Sequence, residues 1–164
     1  MTEEAARGPK AASASARGLA RSRLRLAFEK LGGKRLLGVE VRSEADFVKV
    51  LERGVPVSAL AELTRQEALS PDDVDRLIIP RRTLAHRKAK HQTLNRVESE
   101  RAVRVASVTA LAEETFANRE KAQTWLRRPT SPLGGRRPID LLDSEPGARV
   151  VEQLLYRIGH GIAA

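Results

Sequence analysis

Residues 69–91 read LSPDDVDRLIIPRRTLAHRKAKH, and the fold turns on this stretch. Ser70 is an N-cap type, Pro71 stands where the first helical residue belongs, and Asp72 and Asp73 place carboxylates at the positive end of a helix dipole. Val74, Leu77 and Ile78 follow at three- and four-residue spacing, which makes one buried face. Beyond Pro80 the character reverses: Arg81, Arg82, Arg87, Lys88 and Lys90 stand in a helical segment without an acid. An acid-started helix joined by a short turn to a cationic one predicts a helix-turn-helix whose second helix enters a polyanion's groove. Arg81 and Arg82 suit phosphates or guanine edges, and Thr83 and His86 fall where a recognition helix faces bases. The turn carries Ile78 and Ile79 where glycine often supplies a left-handed residue, so turn geometry and base register stay open at this point.

Composition bounds the rest. The chain has 164 residues, 41% apolar and only 3% aromatic, which favours an all-α protein with aliphatic packing over a β sandwich. The net charge of +9 is local: residues 43–76 carry eight acids against four bases, whereas 80–91 carries five bases and no acid. Such a distribution marks a footprint for an anionic partner. Cysteine is absent, which removes disulfides and thiol catalysis. No apolar run approaches the roughly 18 residues of a membrane span, and residues 1–22 lack the apolar core of a secretory signal. A cytoplasmic protein without membrane contact is expected.

Along the chain, residues 1–22 are Ala, Ser, Gly and Arg and predict a flexible basic tail. Helical pattern begins at Leu24, breaks at Gly32–Gly33, and resumes after Ser43 with Phe47, Val50 and Leu51 up to Gly54. A helix after Pro56 sets Val57, Leu60 and Leu63 on one side, so that residues 23–94 form a four- or five-helix DNA-binding bundle. Asn95 with Glu98 reads as a capping box, and the absence of Gly and Pro from there to Ala117 predicts a helix of about six turns with Val97, Val105, Val108, Leu111 and Phe116 buried. A helix from Asn118 buries Ala122, Trp125 and Leu126 and stops at Pro129. PTSPLGGRRP is a loop, Ile139, Leu141 and Leu142 form an apolar plug, and Ser144 caps a last helix whose face is Gly147, Val151, Leu154, Leu155 and Ile158.

Chemistry finds little purchase. His86 and His91 are five apart among cations, and with His160 they lack an acidic or thiolate third ligand, so no metal site is expected. No serine occupies a G-x-S-x-G elbow, and neither Gly32–Gly33 nor Gly134–Gly135–Arg136–Arg137 matches a phosphate-binding fingerprint. No catalytic residue and no cofactor are expected.

The runs RRTLAHRK (81–88), VESERAVRVASVTALAEETF (97–116), ANREKAQTWLRRP (117–129) and LGGRRPIDLLDSEPGARVVEQLLYRIGHGIAA (133–164) together resemble the Xre/MbcA/ParS family of type II antitoxins. The most specific part is the order of Trp125–Leu126, Pro132–Leu133–Gly134–Gly135, Pro138, Leu141–Leu142, Gly147, Val151, Leu154 and Gly161. The resemblance implies a homodimeric, non-enzymatic autorepressor that binds operator DNA and a RES-domain toxin, an enzyme that consumes NAD or transfers ADP-ribose from it. It implies DNA contact by Arg81, Arg82, Thr83, His86, Arg87, Lys88 and Lys90, and a toxin-binding module over residues 95–164. Toxin contact falls on Trp125, Arg136, Leu141, Leu142, His160, Gly161, Ile162, Ala163 and Ala164, the last four entering the toxin's NAD site. Trp125 on its own reads first as a core residue. A solitary regulator whose second module only dimerises it is the alternative, and gene neighbourhood separates the two.

Overall fold

The computed structural model describes residues 24–161; the expected tail at 1–22 and the terminal Ile162, Ala163 and Ala164 lie outside the described residues. Among the described residues there are helices and no strand, as expected of an all-α chain. Residues 24–30 are helical (α1), followed by α2 (Gly33–Leu37), α3 (Glu44–Arg53), α4 (Val57–Arg65), α5 (Pro71–Leu77), α6 (Arg81–Ala89), α7 (Arg96–Phe116), α8 (Arg119–Arg127) and α9 (Glu145–Gly159). Two 3-10 segments, Ser131–Leu133 and Pro138–Asp143, join α8 to α9.

Local chemistry explains most boundaries. Ser43, Ser70 and Asn95 each form a full capping box with the residue three on, and Asn118 and Ser144 accept from the backbone as simple N-caps. Helix ends depart from the glycine rule. In α4 and α6 the left-handed residue is Glu67 (φ 57°) or His91 (φ 52°), and the last carbonyls are closed by Ala68 N–H to Leu63 O and by Gln92 N–H to Arg87 O. The α5–α6 turn uses no left-handed residue at all. Ile78 is right-handed (φ −119°), both Ile78 N–H and Ile79 N–H donate to Val74 O, and the two side chains are 1% and 0% exposed. The turn is therefore held by burying two β-branched residues.

Helix α7 is the spine. It packs on α3, α5, α8 and α9, so its small residues Ser99, Ala102, Ala106, Thr109, Ala110 and Ala112 are all buried. The buried hydroxyls of α7 are satisfied: Thr109 Oγ1 donates to its own helix at Val105 O (3.0 Å), and Ser99 Oγ accepts the Val55 N–H (2.9 Å). One expected core residue is corrected: Val97 is 54% exposed, because it shares the solvent side with Arg101, four residues on. At the N-terminal end, Phe28 of α1 meets Phe47 of α3 edge-on at 5.9 Å, and Lys30 Nζ lies 2.6 Å from Glu113 on α7.

The C-terminal module closes through one tight contact. The plug residues Ile139, Leu141 and Leu142 are buried in the Pro138–Asp143 segment, against α7, α8 and α9. A Cβ on Gly147 would lie 2.1 Å from the Leu141 carbonyl oxygen, so only glycine lets α9 start this close to the plug. Gly159, by contrast, has only the Thr115 methyl at 3.7 Å. Gly147→Ala should cost about 1–3 kcal/mol and lower Tm by about 3–10 °C, whereas Gly159→Ala leaves Tm unchanged or raises it. Thermal unfolding followed by circular dichroism compares the two, and equal effects would remove the close approach as the reason for glycine at 147.

Candidate nucleic-acid and toxin interfaces

Helix α6 buries none of its residues fully; Leu84 alone of its apolar side chains packs partly against the core. With Leu84 turned inward, helical spacing turns Arg82, Ala85, His86 and Ala89 outward, and all four are exposed. Arg81, Lys88 and Lys90 are exposed too, while Thr83 and Arg87 are half-buried. The basic helix does meet acids in space. Arg81 pairs with Asp72, and its backbone N–H donates to Asp75 Oδ1 at 2.5 Å. Arg87 pairs with Glu98, Nη2 to Oε1 at 3.0 Å. Arg82, Lys88 and Lys90 have no acidic partner among the described residues. Arg82 shares the outward face with His86, while Lys88 and Lys90 are exposed toward the C-terminal end of the helix.

The expected toxin contacts divide differently. Leu141 (6% exposed) and Leu142 (0%) are corrected to core residues, because the plug must fill the space between α7, α8 and α9. Trp125 is half-buried against Phe116, ring centroids 5.7 Å apart. Arg136 is exposed on the turn formed by Gly134 (φ 63°) and Gly135 (φ 76°), where Thr130 N–H donates to Arg136 O at 3.2 Å. His160 caps α9, with Nδ1 2.8 Å from Tyr156 O, and Gly161 (φ 65°) turns the chain off the helix axis. Among the described residues no group of three His, Cys, Asp or Glu side chains is placed to hold a metal ion.

An ion-pair network that the sequence did not reveal ties the two halves together. Asp73 on α5 receives Arg127 of α8 (2.9 Å) and Arg76 (3.4 Å); Arg76 reaches Asp140 (2.8 Å), which Arg137 also holds (2.7 Å). Its members are 54 or more residues apart across the link, so no local pattern signals it. Burial would raise the Asp73 carboxyl, but hydrogen bonds from the Ser70 backbone and hydroxyl, with Arg127, outweigh it and hold the group below the usual carboxylate range. Asp140 is held low by the Arg137 hydrogen bond, against partial burial and with help from Arg76.

Comparison with known proteins names both halves. Residues 46–107 match the antitoxin Xre-like helix-turn-helix domain, and residues 111–161 match the antitoxin Xre/MbcA/ParS C-terminal toxin-binding domain. An Antitoxin Xre of Pseudomonas putida is 34% identical over 122 residues, 74% of this chain and 76% of that protein. The chain belongs to the Xre/MbcA/ParS antitoxin family. An Antitoxin Xre of Photorhabdus laumondii is 30% identical over 132 residues (79% of this chain, 89% of that protein), and a Prs ADP-ribosylating antitoxin of a Sphingobium species 32% over 134 residues (74% and 83%). The chain is thus an antitoxin of a toxin–antitoxin system: a binding protein with a DNA-binding helix-turn-helix and a toxin-binding domain, not an enzyme. No helix among the described residues is long and apolar enough to cross a membrane.

The network has a pH signature. Both carboxyls sit below their unfolded values in the folded antitoxin, so their stabilisation is complete above about pH 4 and is lost as pH falls through the folded values. Asp73→Asn should lower stability at neutral pH and flatten its decline below about pH 4. Urea midpoints measured from pH 7 to pH 3 check this, and an unchanged acid slope would remove Asp73 from the linkage.

Proposed function

We propose that this antitoxin represses its own operon by laying α6 in the DNA major groove, and neutralises a RES-domain toxin by occluding its NAD site with the terminal residues. The observation that carries the first part is α6 itself: a helix with no fully buried residue and three cations without acidic partners among the described residues. Arg82 and His86, with the small Ala85 and Ala89 along one side of them, supply an outward stripe for base edges, with Thr83 beside it and Lys88 and Lys90 toward phosphates. Arg81 joins them as a phosphate contact shared with Asp72. One such helix reads only a few base pairs, so a homodimer on two half-sites about one helical turn apart completes the site. The working division is a DNA-binding part over 23–94 and a toxin-binding part over 95–164, in a cytoplasmic protein whose residues 1–22 form a basic extension.

For the second part, a relative named as a Prs ADP-ribosylating antitoxin supports a partner that draws on NAD chemistry. Gly161 leaves α9 in a left-handed conformation beyond the His160 cap, and on this reading Ile162, Ala163 and Ala164 are the residues that enter the toxin. Small side chains suit a narrow cleft. Trp125 and Arg136 offer the broader contact, since Leu141 and Leu142 are committed to the core.

Two outcomes follow. Replacing Arg82, Lys88 and Lys90 by Ala should weaken binding to duplex from upstream of the gene and reduce the log–log salt slope by about 0.9 for each phosphate that is no longer neutralised. Gel-shift titrations across salt concentrations read this, and an unchanged slope would remove α6 from the phosphate contacts. Deleting residues 160–164 should leave a complex that still co-purifies with the neighbouring gene product while NAD turnover returns. Leu154→Asp, at a residue only 5% exposed on α9, should abolish the complex. Full inhibition by the truncated chain would place occlusion elsewhere.

A further inference from the structure

We infer that Arg87 is a positioning residue for DNA recognition, and that its pairing with Glu98 sets the angle at which α6 is presented, without a DNA contact of its own. The inference rests on the reading of α6 as the DNA-facing helix, and it changes the role of one residue within it. Arg87 stands three residues after Leu84 and so shares the inner side of the helix. Its side chain is 20% exposed, against 64% for Arg81. Two of the Arg87 nitrogens donate, Nη2 to Glu98 Oε1 at 3.0 Å and Nη1 to Thr93 O at 3.3 Å, while the buried Nε lies 2.9 Å from Glu98 Oε2 as an ion-pair contact without hydrogen-bond geometry.

The acceptors belong to a rigid frame. Glu98 is itself the capping-box partner of Asn95, receiving its N–H at 2.8 Å, and its side chain is 10% exposed. Thr93 Oγ1 donates to Arg53 O at 3.2 Å, at the end of α3. Arg87 therefore joins the recognition helix to α7 and, through Thr93, to α3. Turning it toward a phosphate would leave the Glu98 carboxylate nearly buried without its cation, a strongly unfavourable exchange. Because the pair is close to neutral as a unit, it adds little to phosphate attraction. The far end of α6 is held by Asp72 and Asp75 on Arg81, so the helix is fixed at both ends by acids from neighbouring elements, and Arg82 is left as its free guanidinium among the described residues.

The two roles for Arg87 predict opposite signs. If it touched phosphate, Glu98→Gln would release it and remove a repelling acid, so DNA affinity would rise; Arg87→Ala would lower the salt slope by about 0.9. As a positioning residue, Arg87→Ala and Glu98→Gln should each weaken binding by about tenfold or more with the slope unchanged, and the double variant should be no weaker than the worse single one. Glutamine keeps an acceptor for the Asn95 cap, so Glu98→Gln carries the test even where Arg87→Ala fails to fold. Arg87→Lys, which keeps charge and loses the fork, should resemble Arg87→Ala.

The experiment uses the full chain and fluorescence anisotropy on duplex from upstream of the gene, with a random-sequence duplex beside it and circular dichroism for fold. Arg82→Ala is the internal reference and should reduce the slope by about one. Tighter binding by Glu98→Gln, a reduced slope in Arg87→Ala or full activity in Arg87→Lys overturns the inference while leaving α6 as the DNA helix. Failure of Arg82→Ala to change either affinity or slope overturns the α6 reading itself.

Discussion

Helix α7 packs against helices from both halves of the chain, α3 and α5 before it and α8 and α9 after it, and the antitoxin's architecture depends on that shared burial. A helix packed this closely on several sides cannot use large residues throughout, which is why alanine, serine and threonine fill so much of its interior surface. The toxin-binding domain and the helix-turn-helix thus share one rigid element, and the position of one bears on the other.

Charge reinforces the same connection. Asp73 caps α5 and also receives Arg127 from α8, so one carboxylate both starts the first helix of the helix-turn-helix and anchors it to the toxin-binding domain. Glu98 does the equivalent for α6, capping α7 while holding Arg87. In both places a group that already stabilises a helix terminus is also used for a long-range ion pair. Both carboxylates are nearly buried, so the loss of either partner leaves a desolvated charge and costs more than an exposed pair would.

Much of this was legible from local pattern. Ser43, Ser70, Asn95, Asn118 and Ser144 each start a helix where a capping residue precedes an apolar period, because caps act within three residues. The cationic character of α6 and the apolar face of α9 were also visible. Errors arose where a single period was extended too far or an apolar cluster was offered to a partner. Val97 falls on the solvent side of α7 with Arg101 although Glu98 and Ser99 beside it are buried, and Leu141 and Leu142 serve the chain's own core. Glu67 and His91 took left-handed positions that composition reserves for glycine, since the helix-end hydrogen bonds around them outweigh the intrinsic preference.

What the sequence alone determined is therefore what depends on near neighbours: the helices, their caps, the cationic character of α6, and the sequence of residues that marks the family. Which charges are free was decided only by the tertiary structure. Arg81, Arg82 and Arg87 are alike in sequence, yet Asp72 takes one, Glu98 takes another, and Arg82 has no acid among the described residues. The physical reason is that an ion pair depends on distance in space, and Glu98 is 11 residues from Arg87 along the chain but 3.0 Å away across the packing of α6 on α7.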